Sequence, residues 1–241
     1  MSIQPHILVT SNQVSEKAIV CGEPDRVNRI AAHLLDVEYL ADNREFRLVR
    51  GYYKDTIVTI CSTGIGAPSA IIALEELHQC GVKQLIRIGS IGALQSQIAI
   101  GDVIIAEAAV RDDGGSTSYV KSSFPACANH RLVGKLKEYC EHKNIVAHSG
   151  IVRSHDSFYT DQEQEICRYW HRQGVLGADM ETAALLTVGR IRQLEVAAIL
   201  TNVVLFEQDV KEGVNDYVAK SKVSAQGEQY AILAALNALC Y

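Results

Sequence analysis

Residues 84–92 (QLIRIGSIG) join a short apolar strand, which carries Arg87, to a segment that contains two glycines. A run of four to eight apolar residues bounded by turn signals is typical of a buried strand. In α/β proteins, small anions bind where strands end in glycine turns and backbone N–H groups are exposed. A guanidinium group matches phosphate oxygens in two-point contacts. The segment therefore predicts an anion site at the end of a strand.

Two further junctions of this kind lie nearer the N-terminus. Residues 18–21 (AIVC) lead into residues 22–26 (GEPDR), and residues 56–61 (TIVTIC) lead into residues 62–66 (STGIG), with Arg44 in the segment before. A glycine after a strand is commonly a plain turn, but three such junctions together favour one phosphate held from several sides. Neither GxGxxG nor GxxxxGK[ST] occurs in the sequence, so dinucleotide and P-loop sites have no motif support.

Strand-like and helix-like segments alternate along the chain, which predicts an α/β fold with a mixed, mostly parallel central sheet and helices on both faces. No linker-like stretch divides the sequence, and we predict one domain over residues 1–241. Residues 111–125 and 205–217 are poorly patterned and are either binding loops or plain surface loops. The predicted helices span residues 25–35, 68–79, 129–143, 180–193 and 218–239, and the predicted strands span residues 18–21, 46–50, 56–61, 84–88, 101–110, 146–152 and 196–204.

Composition excludes several classes of protein. The formal charge of −5 argues against a general nucleic-acid binder, which needs a basic face. The seven cysteines form no CxxC pair and do not stand at zinc-ligand spacing with histidines, which predicts reduced structural thiols in the cytoplasm. The N-terminus lacks the pattern of a signal peptide. No apolar stretch approaches the ~20 residues that a membrane span needs, so no membrane partner is expected.

Two segments in the second half of the chain carry candidate binding groups. In residues 178–182 (ADMET), Glu181 stands at the start of an apolar helix, either as a partner of the helix dipole or as an acceptor for two adjacent sugar hydroxyls. In residues 153–159 (RSHDSFY), the aromatic side chains are either core or a flat wall for a nucleobase. The contiguous His-Asp-Ser is poor support for a catalytic triad, whose members usually come from separate elements.

These motifs, in this order and at this spacing, resemble the nucleoside phosphorylase superfamily. Within it, they are most similar to the branch of uridine phosphorylases and hexameric purine nucleoside phosphorylases. The matching stretches are PHI (5–7), GxPDR (22–26), REF (44–46), CSTGIGAPS (61–69), RIGSIG (87–92), GDV (101–103), SFY (157–159) and ME (180–181).

The resemblance implies a phosphate site and an assembly. Phosphate, as co-substrate, would contact Gly22, Arg26, Arg87 and Ser90, while Arg44 would reach across from a neighbouring subunit. Such sharing implies a homo-oligomer built from dimers, and the family favours a hexamer.

The resemblance also implies sites for the ribose and the base. Met180 and Glu181 would hold the ribose, with Glu181 on its 2′- and 3′-hydroxyls. His6 would reach the 5′-hydroxyl from the partner chain. Phe158 would stack near the base or sugar, and Gln162 would contact the base edge.

Arg87 and Glu181 would be the catalytic pair. Glu45 and Ser69 match positions that carry a potassium ion between subunits in some uridine phosphorylases, and no organic cofactor is implied.

The base end departs from the family pattern. In uridine phosphorylases a glutamine and an arginine two residues later contact the uracil edge; Gln162 matches the glutamine, but Gln164 stands at the arginine position. Val203 replaces a second arginine. The aspartate that protonates the base in the purine branch has no counterpart here unless Glu207 or Asp209 folds back. In addition, the shorter Asp179 replaces the glutamate that is usual in the ribose motif.

The expected function is reversible phosphorolysis of a nucleoside, with uridine favoured, to the free base and ribose 1-phosphate. The alternatives are purine nucleoside phosphorolysis, hydrolysis by a nucleosidase, and a non-catalytic module that binds nucleosides. Hydrolysis is disfavoured because a nucleosidase has no use for the pair Arg26 and Arg87.

Overall fold

The computed structural model of the protein describes residues 2–208 and 222–241. Within them, ten strands form one sheet in the order β10-β6-β8-β9-β5-β1-β4-β3-β2, and β7 pairs with β6. The strands are β1 (Lys17–Cys21), β2 (Leu35–Asn43), β3 (Phe46–Tyr53), β4 (Thr56–Ser62), β5 (Gln84–Ala93), β6 (Val103–Asp112), β7 (Ala126–Cys127), β8 (Ala147–His155), β9 (Gly177–Asp179) and β10 (Glu195–Val204).

Seven helices in the described part of the chain cover the sheet. Two of them begin directly after glycine loops and have proline in their first turn, where the missing N–H has no partner to lose. The helices are α1 (Pro24–Ala31), α2 (Ala67–Gln79), α3 (Gly114–Thr117), α4 (His130–His142), α5 (Glu163–Arg172), α6 (Thr182–Ile191) and α7 (Lys222–Cys240). None of the helices in these residues is long and apolar enough to cross a bilayer.

The sheet is mixed, which agrees with the predicted α/β class. Five of its described pairings are parallel and five are antiparallel. The parallel pairings join β4, β1, β5 and β10 side by side, so their carboxyl ends meet at one edge. Because β10 pairs with both β5 and β6, the strands β10, β6, β8, β9 and β5 close into a ring.

Two apolar clusters stabilise this arrangement. The larger joins strands β1, β3, β4 and β5 to helices α1, α2, α4, α6 and α7. The smaller contains side chains from the ring strands, including Ile91, Ile104, Val152 and Leu200. Burial of each such side chain contributes about 1.5–3 kcal/mol to the stability of the folded protein. The packed core therefore fixes the edge of the sheet where the parallel strands end.

Some predicted boundaries of helices and strands are wrong. Helix α1 ends at Ala31, and Leu35 already belongs to the exposed strand β2. Residues 89–93 are not a loop, because they continue β5 and pair with β9 and β10. The predicted hairpin at residues 46–61 is confirmed, with Lys54 in the left-handed region (φ 54°) at its turn. The first four residues of the helix predicted at 218–239 lie outside the described residues.

Candidate active site

One large cavity, of about 1110 Å³, lies at the edge where the parallel strands β1 and β5 end. The loop after β4, the strand β9 and the ends of β8 and β10 also reach it, together with helix α5. This is the edge at which α/β sheets bind ligands, since strand ends and helix N-termini converge there. The side chains that line or shape the cavity fall into three groups.

Arg87 lies at the centre of the first group. Arg87 is buried in β5, with 3% of its surface exposed. Two carboxylates hold its guanidinium group. Nε donates to Asp179 Oδ2 at 3.1 Å, and Nη2 donates to Glu181 Oε2 at 2.5 Å. The remaining nitrogen, Nη1, is buried and has no hydrogen-bond partner among the described residues. A buried donor of this kind is costly unless a ligand accepts from it.

Arg26 lies beside Arg87 in the first turn of α1 and is 4% exposed. Its Nε donates to Glu228 Oε2, 2.7 Å away on the last helix, α7. Burial alone would raise the pKa of Glu228, but the hydrogen bond from Arg29 and the charges of Arg26 and Arg29 outweigh it and lower that pKa. Glu228 is therefore ionised and fixes the guanidinium group of Arg26 toward the cavity side of α1.

Glu181 forms the second group, between β9 and α6. It is 6% exposed, and its Oε1 accepts the backbone N–H of Gly66 at 2.7 Å. Burial raises the pKa of Glu181; the positive charge of Arg87 opposes this shift, and the negative charge of Asp179 adds to it. Each carboxylate oxygen has a second lone pair, so both oxygens of Glu181 can still accept from a ligand.

Asp179, on β9, takes the helix-capping role that was an alternative for Glu181. Its carboxylate accepts the backbone N–H and the hydroxyl of Thr182, the first residue of α6, and the hydroxyl of Ser154. Glu181 makes no side-chain capping bond to α6. The acceptor capacity of Glu181 is therefore directed into the cavity and away from the helix.

The third group lies along α5 and the segment after β10. Phe158 and Gln164 line the cavity here, along with Val203 and Phe206. Phe206 is fixed by stacking on His171, with ring centroids 4.3 Å apart and an angle of 14°. Arg168 Nε lies 3.8 Å from Glu207 Oε1 at this end of the cavity. The wall is thus mostly apolar and aromatic with a few polar groups, as expected for a flat heterocycle.

A sequence model described as the phosphorylase superfamily matches residues 16–236 of the chain. The chain belongs to the phosphorylase superfamily. Among curated relatives, the guanosine phosphorylase of Halorubrum lacusprofundi is 36% identical over an alignment of 242 positions that covers 99% of this chain and 100% of that protein. The uridine phosphorylase of Escherichia coli is 38% identical over an alignment of 215 positions that covers 82% of this chain and 85% of that protein.

A solved structure is also similar over the whole length of this phosphorylase. The crystal structure of uridine phosphorylase from Vibrio fischeri ES114 superposes with a TM-score of 0.94 at 55% sequence identity. The match covers 100% of this chain and 98% of the other.

The phosphorylase brings most of the candidate residues to this one cavity. The residues that line it are Gly22, Arg26, Arg87, Ser90, Phe158, Met180, Glu181, Glu45 and Ser69. Ser69 Oγ donates to Glu45 Oε1 at 2.7 Å, and this bond lowers the pKa of Glu45. Gly64 (φ 70°) allows this contact, because a Cβ atom there would lie 2.7 Å from Cγ of Glu45.

Three candidate residues do not line the cavity of their own chain. His6 Nδ1 lies 2.5 Å from Glu76 Oε1, and the imidazole packs edge-on against Phe46. Arg44 is exposed in the turn between β2 and β3, with a left-handed backbone (φ 55°). Gln162 is exposed at the residue before α5, whereas Gln164, two residues later, lines the cavity.

Residues that depart from the family pattern lie in the wall of the cavity. Val203 does line the cavity, so a valine stands there in place of the family's arginine. Glu207 lines the cavity as well, in a left-handed conformation (φ 64°), whereas Asp209 lies outside the described residues. Of the poorly patterned segment 205–217, residues 205–208 form part of the cavity wall and the others are outside the described residues.

Two side chains at or next to the cavity had no clear signal in the sequence. Glu228 lies 202 residues from Arg26 along the chain. Its one signal in the sequence is a charged residue among the small and apolar residues of α7. His155 lines the cavity with its Nδ1 3.0 Å from the carbonyl oxygen of Ser157. Burial lowers the pKa of His155, and the positive charge of Arg153 lowers it further.

Proposed function

We propose that this phosphorylase cleaves uridine with inorganic phosphate, reversibly, to uracil and ribose 1-phosphate. The observation that carries the proposal is Arg87 Nη1, a buried cationic donor in the cavity wall with no partner among the described residues. An anion is what such a donor requires. The 55% identity to the Vibrio fischeri uridine phosphorylase supports uridine as the nucleoside.

The chemistry follows from the placement of charge. Phosphate, held by Arg26 and Arg87, attacks C1′ of the ribose, so that a C–O bond forms as the C–N bond to the base breaks. The base departs with the bonding electron pair and then takes up a proton. The sugar carries positive charge in the transition state, which the bound phosphate stabilises. Glu181 accepts hydrogen bonds from the 2′- and 3′-hydroxyls and fixes the sugar.

Hydrolysis and simple binding are less well supported. Water needs no cationic site, yet two buried arginines, Arg26 and Arg87, line this cavity. The carboxylate partners of Arg87 leave its buried Nη1 without an acceptor among the described residues, and phosphate would supply one. A module that only binds nucleosides would not require the buried donor of Arg87.

A purine nucleoside is the second candidate, and two observations favour it. The guanosine phosphorylase of Halorubrum lacusprofundi matches this chain over nearly the full length of both. The base end also has Val203 where an arginine would contact uracil, and Phe206 adds a flat aromatic surface. Such a wall suits stacking of a larger ring system.

A panel of nucleosides tests the proposal. The protein is incubated with uridine, thymidine, inosine and adenosine, each with and without phosphate, and release of the base is followed. Phosphate-dependent release of uracil supports the proposal. Release of hypoxanthine or adenine alone establishes the second candidate, phosphate-independent release indicates a nucleosidase, and no release from any nucleoside indicates a binding module.

A variant of Arg87 tests the anion site within the same assay. Arg87→Ala should raise the KM for phosphate far more than it weakens nucleoside binding. Since this change also leaves Asp179 and Glu181 without their cation, Arg87→Lys is the companion variant that keeps a positive charge in place. An unchanged KM for phosphate in both variants would contradict the assignment.

We further propose an assembly of dimers, a hexamer in total, that works in cytoplasmic nucleoside salvage. The positions of His6 and Arg44 support sharing of the site, because both are accessible and neither lines its own cavity. No organic cofactor is proposed. The carboxylate of Glu45 beside Ser69 offers oxygen ligands of the kind that suit a potassium ion, and we propose that these two residues would hold one.

A further inference from the structure

Four buried side-chain atoms in the described part of the chain lack a hydrogen-bond partner: Arg87 Nη1, Glu163 Oε2, Thr187 Oγ1 and Thr201 Oγ1. Two of them belong to residues that line the cavity, Arg87 and Glu163. One is a cationic donor and the other is an anionic acceptor. A buried polar atom without a partner is destabilising, so each of these two calls for a complementary group on a ligand.

The carboxylate of Glu163 is held by its other oxygen. Oε1 accepts from Arg153 Nη1 at 3.5 Å and from Cys167 Sγ at 3.3 Å. Arg153 is itself buried, at 4% exposure, and is fixed by Asp112 at 2.7 Å. Because these contacts occupy Oε1, the side chain is oriented and Oε2 is left to accept from the cavity.

Glu163 is the first residue of α5, which follows β8, and β8 lies two strands from the Arg87 strand β5, with β9 between them. Phe158 and Gln164, close to Glu163 along the chain, also line the cavity. A carboxylate beside phosphate would repel it, whereas beside the base it meets neutral N–H groups.

We infer that Glu163 recognises the ring N–H group on the edge of the nucleobase, an inference that rests on the proposed function. A carboxylate can only accept hydrogen bonds, so Glu163 Oε2, facing the ring nitrogen of this edge, selects bases that carry a hydrogen on that nitrogen. Uracil and thymine do so at N3, and 6-oxopurines do so at N1. Cytosine and adenine present a lone pair at the equivalent atoms, which a carboxylate repels. The substrates are therefore nucleosides of oxo-bases.

Glu163 also has a simpler role as a negative charge in the first turn of α5, where it favours the helix dipole. Glu165 shares that turn, is exposed, and does not line the cavity. The pair Glu163→Ala and Glu165→Ala is therefore a matched comparison, because both changes remove a carboxylate from the same helix terminus and one of them removes a cavity acceptor.

The test compares kcat/KM for uridine and 3-methyluridine, which lacks the N3–H, in the native protein and both variants. We expect the native protein to prefer uridine. Glu163→Ala should lower kcat/KM for uridine by about 10- to 100-fold, the range for a hydrogen bond to a charged group. It should change the value for 3-methyluridine by less than about threefold, with an unchanged KM for phosphate. Glu165→Ala should behave like the native protein.

An equal loss on both nucleosides in Glu163→Ala, or a native protein that accepts both equally, would overturn the inference. If the alanine variant does not fold, Glu163→Gln replaces it, because it keeps the size of the side chain. This variant should also show a smaller preference for uridine over 3-methyluridine than the native protein. If inosine is the better substrate, the pair inosine and 1-methylinosine replaces the uridine pair.

Calorimetric binding of uracil and 3-methyluracil separates this inference from the proposed function. Tighter binding of uracil that disappears in Glu163→Ala supports the role of Glu163 even if no nucleoside is cleaved, and in that case the proposed function alone fails. Phosphorolysis of uridine with equal binding of the two bases overturns the inference and leaves the proposed function standing.

Discussion

Gly89 and Arg87 are in such close contact that position 89 has no room for a side chain. A Cβ atom at residue 89 would lie 2.6 Å from Nη2 of Arg87 and 2.8 Å from Cδ2 of Leu200. The guanidinium group therefore folds back over its own strand to reach Asp179 and Glu181. The absence of a side chain at residue 89 is a condition for the position of the Arg87 guanidinium group.

Gly89→Ala should displace Arg87 and impair the use of phosphate. We expect a loss of stability of about 1–3 kcal/mol from overpacking and a rise in the KM for phosphate of about tenfold or more. Gly134→Ala is the control, because a Cβ atom there meets nothing within 4 Å and α4 gains up to about 1 kcal/mol from alanine. Steady-state kinetics and thermal unfolding measure both effects, and an unchanged phosphate KM in Gly89→Ala would contradict the argument.

Glu228→Gln should weaken phosphate binding because it releases Arg26 from its anchor on α7. We expect the KM for phosphate to rise about tenfold, while the KM for the nucleoside changes little. The pKa of Glu228 is lowered from 4.5, so the stability that it contributes is present above about pH 4.5 and is lost as the pH falls through the lowered value. Thermal unfolding should therefore separate native protein and variant more at neutral pH than in acid.

The exposed Glu138, on α4, provides the matched control. Glu138→Gln should leave both KM values and the unfolding temperature unchanged. A loss in Glu228→Gln that affected both substrates equally would indicate general damage and argue against a positioning role.

His155 should make stability depend on pH. Its pKa is lowered below 6.5 by burial and by Arg153, so below about pH 6.5 the unfolded chain binds more protons than the folded protein. Its contribution to stability is complete above that pH and is lost as the pH falls through the lowered value, by at most about 1.4 kcal/mol per pH unit.

His155→Gln should reduce the fall in unfolding temperature between about pH 7.5 and pH 5.5. His142→Gln, at an exposed position at the end of α4, should leave that fall unchanged. Differential scanning calorimetry at several pH values measures both, and equal slopes for the native protein and His155→Gln would refute this prediction.

Glu181→Gln should reveal contact with the sugar hydroxyls. If the carboxylate binds the 2′- and 3′-hydroxyls together, the variant should lower kcat/KM for uridine by about 10- to 100-fold. The loss for 2′-deoxyuridine should be smaller, because one of the two hydrogen bonds is already missing. Equal losses on the two nucleosides would place the function of Glu181 elsewhere, in its bond to Arg87.

The meeting of Arg26 and Arg87 at one cavity was predictable from the sequence because each stands beside the end of a strand. Arg26 and Arg87 each lie within a few residues of an apolar strand and a glycine, and parallel strands bring such ends together. The glycines of residues 89–92 nevertheless have a different reason from the predicted turn. These residues continue β5, and Gly89 leaves room for the side chain of Arg87.

Other elements give weak local signals. Strand β2 alternates apolar and polar residues over residues 35–39 (LDVEY), but it is largely exposed, so this alternation does not mark a buried face. Helix α5 buries none of its residues completely, and its apolar residues are few. The partners Glu228 and Glu163 depend on contacts that only the folded chain makes, and no spacing in the sequence announces them.

The bond between Arg26 and Glu228 sets an order of events during synthesis of the protein. Arg26 leaves the ribosome early, but the carboxylate that anchors it is 202 residues further along the chain. Domains generally begin to fold as they emerge, so the sheet strands β1 to β5 can pair long before this anchor exists. A chain that stops before α7 would carry every motif of the resemblance and still lack the carboxylate that fixes Arg26.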